Sequence, residues 1–413
     1  MSEHYDSLET RDPVERERAL MAALPKQLAH AKAGAPAFAR ILAGVDPREI
    51  TSRKALAQLP VTRKSDLKDL QHAAPPFGGL VATAPGRLAR LYLSPGPIFD
   101  PEGRGADWWR MARPMFAAGI RPGDVVQNCF SYHFTPAASM MDCGAQALGC
   151  AVIPAGTGQT EMQVQSMVEL KPSAYVGTPS FLKIILEKAA ETGADVSSVE
   201  RAVVGAEALP PSLRKWLQEH GVARVQQIYG SADLGNIAYE SEALEGMIID
   251  EEIIVEILRA GTGDPVAEGE VGEVVVTTLN ADYPLIRFAT GDLSAVLPGA
   301  SPCGRTNMRI RGWMGRADQA TKVKGMFVQP SQVAEVVKRH REILKARLVV
   351  DNPGGQDRMT LLCEVAEGAP AALAQAIAES LREVTKLRGE ATFRRPGELP
   401  NDGKVIEDAK KYD

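Results

Sequence analysis

Short apolar runs alternate with longer amphipathic segments through the first half of the chain. Between Leu88 and Tyr229 the apolar runs have the length of β-strands, and the segments between them have the length of helices. The predicted strands are 88–93, 124–130, 150–155, 173–178, 201–206 and 225–230, and the predicted helices are 137–149, 159–170, 179–191 and 210–220. This alternation predicts an α/β fold with a doubly wound, mostly parallel sheet.

The pattern changes in the second half of the chain. Between Gly246 and Leu297, β-rich runs separated by Gly- and Pro-containing turns predict an antiparallel subdomain at about 246–300. After Gly315 the predicted order is strand 321–328, helix 331–340, strands 347–351 and 359–366, helix 371–387 and strand 391–395. That β-α-β-β-α-β order predicts a small split-βαβ α+β domain.

An opening helix is indicated at the amino terminus. Asp12, Pro13 and Glu15 have the residue types of the N-cap, N1 and N3 positions, and Pro25 is expected to kink or end this helix.

Composition narrows the class of function. A length of 413 residues suggests more than one domain, and 47 basic against 52 acidic residues leave a net charge of −5. No basic field is therefore present to attract nucleic acid or an anionic membrane, and small-molecule chemistry is favoured. The five cysteines form an odd set without a CxxC pair, which favours a reducing cytoplasm. The charged amino terminus and the lack of a long apolar run predict neither export nor membrane insertion.

Four turns carry candidate chemistry, because ligands of open α/β sheets bind where strands end. Each also has a plain structural interpretation as an ordinary or solvated turn. IPAGTGQT (153–160) can hold an anion at a helix start, and YGSAD (229–233) combines an aromatic ring with a carboxylate. RFATGD (287–292) ends on a carboxylate suited to a ribose diol, and GRADQATKVKG (315–325) gathers cations around glycines.

Taken together and in order, these segments resemble the phenylacetate-CoA ligase branch of the adenylate-forming superfamily. The resemblance extends over nearly the whole chain. It also includes LPVTRKSDL (59–67), VGTPSFLK (176–183), GAEALPPSLR (205–214), SPCGR (301–305) and LPNDGK (399–404). It implies a large domain, 1–316, and a small mobile domain, 317–413, that meet at a hinge at Asp318.

The resemblance also implies a two-step reaction. A carboxylate attacks the α-phosphorus of Mg-ATP and expels pyrophosphate, and the thiol of coenzyme A then displaces AMP from the acyl-adenylate. Lys404 would be the adenylation lysine, and the loop with Lys322, Lys324 and Gly325 would serve thioester formation on the coenzyme A side. Asp233 would hold Mg²⁺. The implied nucleotide-binding residues are Ser94, Gly96, Gly205, Ala206, Glu207, Tyr229, Gly230, Ser231, Asp292 and Arg316.

An acyl pocket is implied around FSYHF (130–134). Phe130, Tyr132, His133, Phe134 and Met140 offer an apolar lining that suits an aromatic or medium-sized acid. The alternative is that His133 is a wall residue and that the aromatic and methionine side chains are core.

One segment departs from the family pattern. Relatives carry a Ser/Thr/Gly-rich phosphate loop, whereas this chain has LSPGPIFDPEG (93–103), in which only Ser94 and Gly96 match. The prolines remove backbone donors, and Asp100 and Glu102 add charge unfavourable to a triphosphate.

Three functions stay open from sequence. The first is an ATP-dependent acyl-CoA ligase in the cytoplasm, with an aryl acid as the expected substrate. The second is an adenylating enzyme that passes the acyl group to an amine or a carrier protein, and the third is a non-catalytic nucleotide or acyl-adenylate binder. The sequence also leaves a homodimer open.

Overall fold

The structure is a computed structural model that describes residues 3–259, 263–317, 321–324, 326–328, 330–353, 356–366, 370–400 and 405–410. The chain divides into two compact units, Met1–Gly315 and Arg316–Asp413. The larger unit has helices α1 Pro13–Gly34, α2 Pro36–Ile41, α3 Arg53–Leu56, α4 Leu67–Ala73, α5 Ala112–Ala117, α6 Ala137–Leu148, α7 Thr160–Leu170, α8 Pro179–Thr192 and α9 Pro211–Glu219. Its strands are β1 Thr62–Arg63, β2 Arg90–Ser94, β3 Ile98–Glu102, β4 Val125–Asn128, β5 Ala151–Ile153, β6 Ala174–Gly177, β7 Arg201–Val204, β8 Arg224–Ser231, β9 Gly235–Tyr239, β10 Met247–Ile249, β11 Ile253–Leu258, β12 Gly272–Thr278, β13 Phe288–Ser294, β14 Val296–Leu297 and β15 Arg309–Ile310.

A mixed sheet forms the centre of the larger unit, with strand order β14-β15-β10-β9-β8-β7-β6-β4-β5. The strands from β5 to β8 are parallel, and β9, β10, β15 and β14 continue the sheet in antiparallel pairing. Successive residues of the parallel strands point to opposite faces, so Val176 packs with α5 and α6, and Tyr175 packs with α7, α8 and α9. Both faces are covered, and the predicted doubly wound α/β fold is confirmed.

The predicted strand 88–93 is a strand in the structure, but its pairing was predicted wrongly. Residues 88–93 were expected in the parallel sheet, but β2 pairs only with β3 as an antiparallel hairpin. The turn of this hairpin is Pro95, Gly96 and Pro97, so the segment expected as an altered phosphate loop is largely extended. The sequence pattern identified a strand correctly but contained no information about which strand it would pair with.

The β-rich region divides between two sheets. Strands β11, β12 and β13 pair antiparallel, and β1 adds to β13 in parallel. The run 246–250, expected in the same subdomain, instead forms β10 between β9 and β15 of the central sheet. All three residues of β10 are buried, which an interior position in the larger sheet explains.

Helix α1 begins as the sequence predicts but continues past Pro25. The Asp12 side chain accepts hydrogen bonds from the backbone N–H groups of Val14 and Glu15. Leu24 and Leu28 are fully buried on either side of the proline. Burying a leucine contributes about 1.5–3 kcal/mol, so a few such residues offset the roughly 3 kcal/mol cost of an internal proline. Of the two expected outcomes, a kink or an end, Pro25 does not end the helix.

The smaller unit contains helices α10 Pro330–Arg339 and α11 Ala371–Thr385. Its strands are β16 Thr321–Val323, β17 Met326–Val328, β18 Ile343–Asp351, β19 Arg358–Val365, β20 Glu390–Arg394 and β21 Ile406–Asp408. The sheet order is β20-β19-β18-β21, and β16 pairs with β17 as a separate hairpin. Residues 321–328 were predicted as one strand, but the chain reverses there, with Lys324 at a φ of 47°. Strand β21 lies at the edge of this sheet beside β18, and the sequence pattern did not predict it.

Among the described residues, no helix is both long and apolar enough to cross a bilayer.

Candidate active site

The candidate site lies where strands of the larger unit end, around residues from β8, β13 and the hairpin β2–β3. Tyr229 of β8 is buried, and its hydroxyl donates a hydrogen bond to Oδ2 of Asp292 at 3.0 Å. Nε1 of Trp313 donates to the other Asp292 oxygen at 3.1 Å. These two bonds orient the Asp292 carboxylate.

A second carboxylate, Asp233, follows β8 and is almost fully buried. Nζ of Lys64 lies 2.5 Å from its Oδ2 atom, and the Ser231 hydroxyl donates to the same oxygen at 3.3 Å. The Oδ1 atom of Asp233 is buried and has no hydrogen-bond partner. A buried carboxylate oxygen without a partner is costly, so this atom is available to a ligand.

The hairpin contributes a third carboxylate. Asp100 of β3 is completely buried, its Oδ2 accepts a hydrogen bond from the Ser94 hydroxyl, and its Oδ1 has no partner. Burial raises the pKa of Asp100 to about 8, and the negative charge of Asp233 adds to this rise.

Lys64 is the cation of this cluster. Burial by itself would lower the pKa of its ammonium, but the carboxylates of Asp233, Asp100 and Asp292 together raise it. Lys64 lies in the LPVTRKSDL segment, which contributed to the family resemblance without any role being assigned to this lysine. Sequence reasoning could have found Lys64 from two facts taken together. It is a lysine in a family motif, and the segment in place of the phosphate loop carries acidic residues that need a cation.

The hairpin is held in place by helix α4, which begins three residues after Lys64. The Gln71 amide donates to the carbonyl oxygen of Phe99 at 2.8 Å and accepts from the N–H of Phe99 at 2.8 Å. This pair of bonds acts like one rung of a β-ladder. One short segment of chain therefore positions both Lys64 and Asp100.

The expected adenine-site residues follow β7. Gly205 is buried, and its backbone N–H bonds to the Gly177 carbonyl oxygen at 3.2 Å. Ala206, at a φ of 63°, and Glu207 are exposed. A Cβ atom on Gly205 would lie 2.9 Å from a side-chain carbon of Ile228, so close packing already requires glycine there.

Gly230 also has a packing role. A Cβ atom on this residue would lie 2.4 Å from the carbonyl oxygen of Gly235, where β8 turns back into β9. The glycine of the YGSAD motif thus permits a tight strand reversal that places Ser231 and Asp233.

The implied acyl-pocket residues separate into two groups. Phe130 and Met140 are buried in the core that α6 makes with the central sheet. Tyr132 is 42% exposed and donates from its hydroxyl to Asp142 at 2.8 Å. Phe134 is 62% exposed, and the exposed His133 ring packs against it edge to face at 4.6 Å. The first two are core residues and the other three form an exposed aromatic surface on the larger unit.

The remaining implied residues belong to the smaller unit or lie outside the described residues. The Arg316 guanidinium lies over the Phe327 ring at 5.8 Å, and Lys322 and Lys324 are exposed on the β16–β17 hairpin. The Lys324 backbone N–H donates to Asp357 at 2.7 Å. Lys404, Asp318 and Gly325 lie outside the residues that the structure describes.

Comparisons with known proteins identify relatives of this chain. The family model "AMP-binding enzyme" matches residues 106–280. A phenylacetate-coenzyme A ligase from Thermus thermophilus is 32% identical over 86% of this chain and 83% of its own. A phenylacetate-coenzyme A ligase from Escherichia coli K12 is 31% identical over 88% of this chain and 85% of its own.

A solved structure shares the fold over almost the full length. The 2-hydroxyisobutyryl-CoA ligase in complex with 2-HIB-AMP and CoA matches with a TM-score of 0.78 and 25% identity, covering 99% of this chain and 93% of that one. Fold and site together define an AMP-binding, adenylate-forming enzyme. The chain belongs to the phenylacetate-coenzyme A ligase family, and the expected class of AMP-forming acid–thiol ligases is confirmed.

Proposed function

We propose that this enzyme activates an aromatic carboxylic acid with Mg-ATP and transfers the acyl group to coenzyme A. In the first step a carboxylate oxygen bonds to the α-phosphorus and pyrophosphate leaves. In the second step the coenzyme A thiol bonds to the acyl carbon, losing its proton, and AMP leaves. The observation that carries the proposal is the cluster of Asp233, Lys64, Tyr229 and Asp292 at the strand ends of a chain with these relatives.

Nucleotide binding is assigned to the β8 and β13 side of the cluster. Asp292 is assigned to the ribose hydroxyls, because a carboxylate accepts hydrogen bonds from hydroxyl groups strongly. Tyr229 holds that carboxylate through its hydroxyl, and the 205–207 segment borders the adenine. Ser94 and Gly96 make a smaller contribution, because the Ser94 hydroxyl already bonds to Asp100.

The Asp233 carboxylate fits the Mg²⁺ that this reaction requires. Its buried Oδ1 atom lacks a partner, and carboxylate oxygens are preferred ligands of Mg²⁺. Within the described ranges no group of three or more His, Cys, Asp or Glu side chains is placed to hold a metal. Phosphate oxygens would then complete the coordination, as is usual for nucleotide-bound Mg²⁺. When bound, the ion would neutralise phosphate charge, while Lys64 holds the Asp233 carboxylate in place.

Roles in both steps of the reaction are assigned to the smaller unit. Lys404 supplies the ammonium for adenylation, and Asp318 is the hinge about which that unit rotates. Lys322, Lys324 and Gly325 then face the coenzyme A side, with Arg316 at the ribose or phosphate. These roles rest on the family resemblance.

An aromatic acid is proposed because two kinds of observation favour it. Several relatives are phenylacetate-coenzyme A ligases, and the larger unit exposes Tyr132, His133 and Phe134 as an aromatic surface. We also propose a cytoplasmic location, since all five cysteines are free, and a homodimer as a hypothesis to be examined by sedimentation.

The test is acid-dependent ATP–pyrophosphate exchange across a panel of aryl and alkyl acids, followed by coenzyme A-dependent AMP release. We expect exchange with an aryl acid and AMP release on adding coenzyme A. Asp233→Asn should abolish most exchange, whereas Asp124→Asn, at the amino ends of the parallel strands, should retain it. Exchange without coenzyme A turnover would indicate an amine or carrier acceptor, and no exchange with any acid would indicate a non-catalytic binder.

A further inference from the structure

One face of the sheet in the smaller unit is covered by helices, and the opposite face carries charged side chains. Leu348, Val350 and Ile406 point into the core that α10 and α11 make with this sheet. Because side chains alternate along a strand, Lys345 and Arg347 of β18 point away from that core. Arginine side chains on such a face are normally solvated, yet the Arg347 side chain is only 5% exposed. Its burial shows that another part of the chain covers it.

The segment just before residue 401 provides this cover. Nη2 of Arg347 donates to the carbonyl oxygen of Pro400 at 3.2 Å, and Nζ of Lys345 donates to the same oxygen at 3.1 Å. On the neighbouring strand β19, Oε1 of Glu364 accepts a hydrogen bond from the backbone N–H of Leu399 at 2.7 Å. Glu364 is directly opposite Lys345 in the ladder, so the three charged side chains share one face of the sheet. Together they hold the dipeptide Leu399–Pro400.

Arg347 also holds the chain that follows residue 404. Its Nη1 atom donates to Oε2 of Glu407 in β21 at 3.1 Å, so one guanidinium bonds to the chain on both sides of 401–404. Strand β21 is held further by its parallel pairing with β18, and the carbonyl oxygen of Val405 accepts from the N–H of Leu348 at 2.9 Å. Residues 401–404 lie outside the described residues, but the residues that flank them are both anchored to β18.

We propose that Arg347 is a positioning residue that sets the place of Lys404 for adenylation by tying Pro400 to Glu407. The inference rests on the proposed function for the role of Lys404, and it assigns the placement of that ammonium to a side chain outside the LPNDGK motif. A charge stabilises a transition state effectively only when it is already held in the right place. A planar guanidinium with several donors can hold a carbonyl oxygen and a carboxylate at once.

The experiment measures both half-reactions of Arg347→Met in the full chain: acid-dependent ATP–pyrophosphate exchange, and acyl-CoA formation from supplied acyl-adenylate. We expect exchange to fall by about tenfold or more, since a small displacement of a catalytic group costs at least this much. Acyl-CoA formation should stay near the wild-type rate, because Lys404 takes no part in that step. The control is Arg339→Met, at an arginine of α10 that pairs with Glu335 and Glu383, and it should retain both rates. Wild-type exchange by Arg347→Met, or a loss of both rates together, overturns the proposal.

A double variant tests whether Arg347 acts through Lys404. If it does, adding Arg347→Met to Lys404→Ala should not lower exchange further, because the ammonium that Arg347 positions is already gone. A further loss of about tenfold in the double variant would show that the two residues act independently, and it would overturn the proposal.

Glu407→Ala covers the case in which Arg347→Met does not fold. The Glu407 side chain is 41% exposed, so this change opens one end of the bridge at the surface of the smaller unit. Exchange should fall by about threefold or more while acyl-CoA formation is retained, and unchanged exchange overturns the proposal.

Lys404→Ala distinguishes the two possible failures. If this variant loses exchange while Arg347→Met and Glu407→Ala keep it, the proposed function stands and the role of Arg347 is wrong. If Lys404→Ala keeps exchange, the role of Lys404 is itself wrong, and the inference about Arg347 is overturned with it.

Discussion

Lys64 is a single residue whose positive charge offsets the carboxylates of the candidate nucleotide site. Its ammonium compensates Asp233 directly and acts on Asp100 and Asp292 through charge. Removing one partner of a buried ion pair is strongly destabilising, because the remaining charge stays buried without compensation.

We expect Lys64→Met to lower the free energy of unfolding by about 3 kcal/mol in urea denaturation. Adding Asp233→Asn to the same chain should recover part of this loss, because the uncompensated charge is removed. Lys68→Met, an exposed lysine of α4, should stay within about 0.5 kcal/mol of the wild type. If the two site substitutions were simply additive, the pair would not be the stabilising unit described here.

Asp107 provides a pH test away from the proposed metal site. Its carboxylate accepts hydrogen bonds from the N–H groups of Met111 and Ala112, and burial raises its pKa to about 6. In the unfolded chain an aspartate ionises near pH 4, so between about pH 4 and pH 6 the folded state binds more protons. The wild-type free energy of unfolding therefore receives a contribution from Asp107 that falls as pH rises through this window.

Asp107→Asn has no such ionisation. The free energy of unfolding of this variant minus that of the wild type should rise by up to about 3 kcal/mol between pH 4 and pH 6. Above pH 6 this difference should stay constant. Denaturant unfolding at several pH values measures this. The exposed Asp195, whose pKa is lowered by its hydrogen bonds to Ser197, is the control, and Asp195→Asn should show no such gain. A pH-independent difference for Asp107→Asn would contradict the prediction.

At the scale of elements, Arg287 joins three parts of the larger unit just before β13. This fully buried guanidinium makes two bonds of 3.0 Å to Glu256 of β11 and donates to the carbonyl oxygens of Ala57 and Gly263. It stands in the RFATGD motif, in which sequence reasoning assigned a role only to Asp292. Its contacts set the position of the strand that carries Asp292.

We expect Arg287→Met to cost about 3–5 kcal/mol of unfolding free energy, because Glu256 is left buried without its partner. The double variant Arg287→Met with Glu256→Leu should be more stable than the single one, since both charges are gone. Thermal and urea unfolding measure both variants, and an exposed arginine variant, Arg48→Met, is the control. A double variant less stable than Arg287→Met would contradict the claim that the uncompensated Glu256 charge causes the loss.

The local sequence pattern predicts where the helices and strands lie, but it does not predict which strands pair. The sequence located β4 to β8 and α6 to α9 to within a few residues, because period and length reflect how each segment is buried. It could not decide that β2 pairs with β3, or that β10 joins the central sheet, since those pairings depend on contacts between distant segments.

For the whole molecule, the proposed mechanism separates the two half-reactions through Lys404. Lys404→Ala should reduce adenylation about a hundredfold or more, the scale seen when one preorganised electrostatic contact is removed. Thioester formation from supplied acyl-adenylate should remain near the wild-type rate, because that step uses the rotated smaller unit. Pyrophosphate exchange, acyl-CoA formation and melting temperature are measured on one preparation.

A solvated lysine at position 404 would leave both rates unchanged, and a structural one would lower both rates and the melting temperature together. Lys338→Ala, at an exposed lysine of α10, serves as the control. Intact exchange by Lys404→Ala would contradict the mechanism.

The sequence by itself determined the class of fold, the family and the identity of most acids at the site. The hydrophobic period and the motifs at strand ends are local properties. They can therefore be recognised without knowing which segments are in contact in the folded chain. The tertiary structure decided that Lys64 contacts Asp233, which is 169 positions away in sequence. It also decided that the segment found in place of the phosphate loop forms a hairpin, and that Asp100 of this hairpin lies near enough to Asp233 for their charges to interact. Such charge clusters depend on burial and on contacts between distant segments, and neither is encoded in the spacing of residues along the chain.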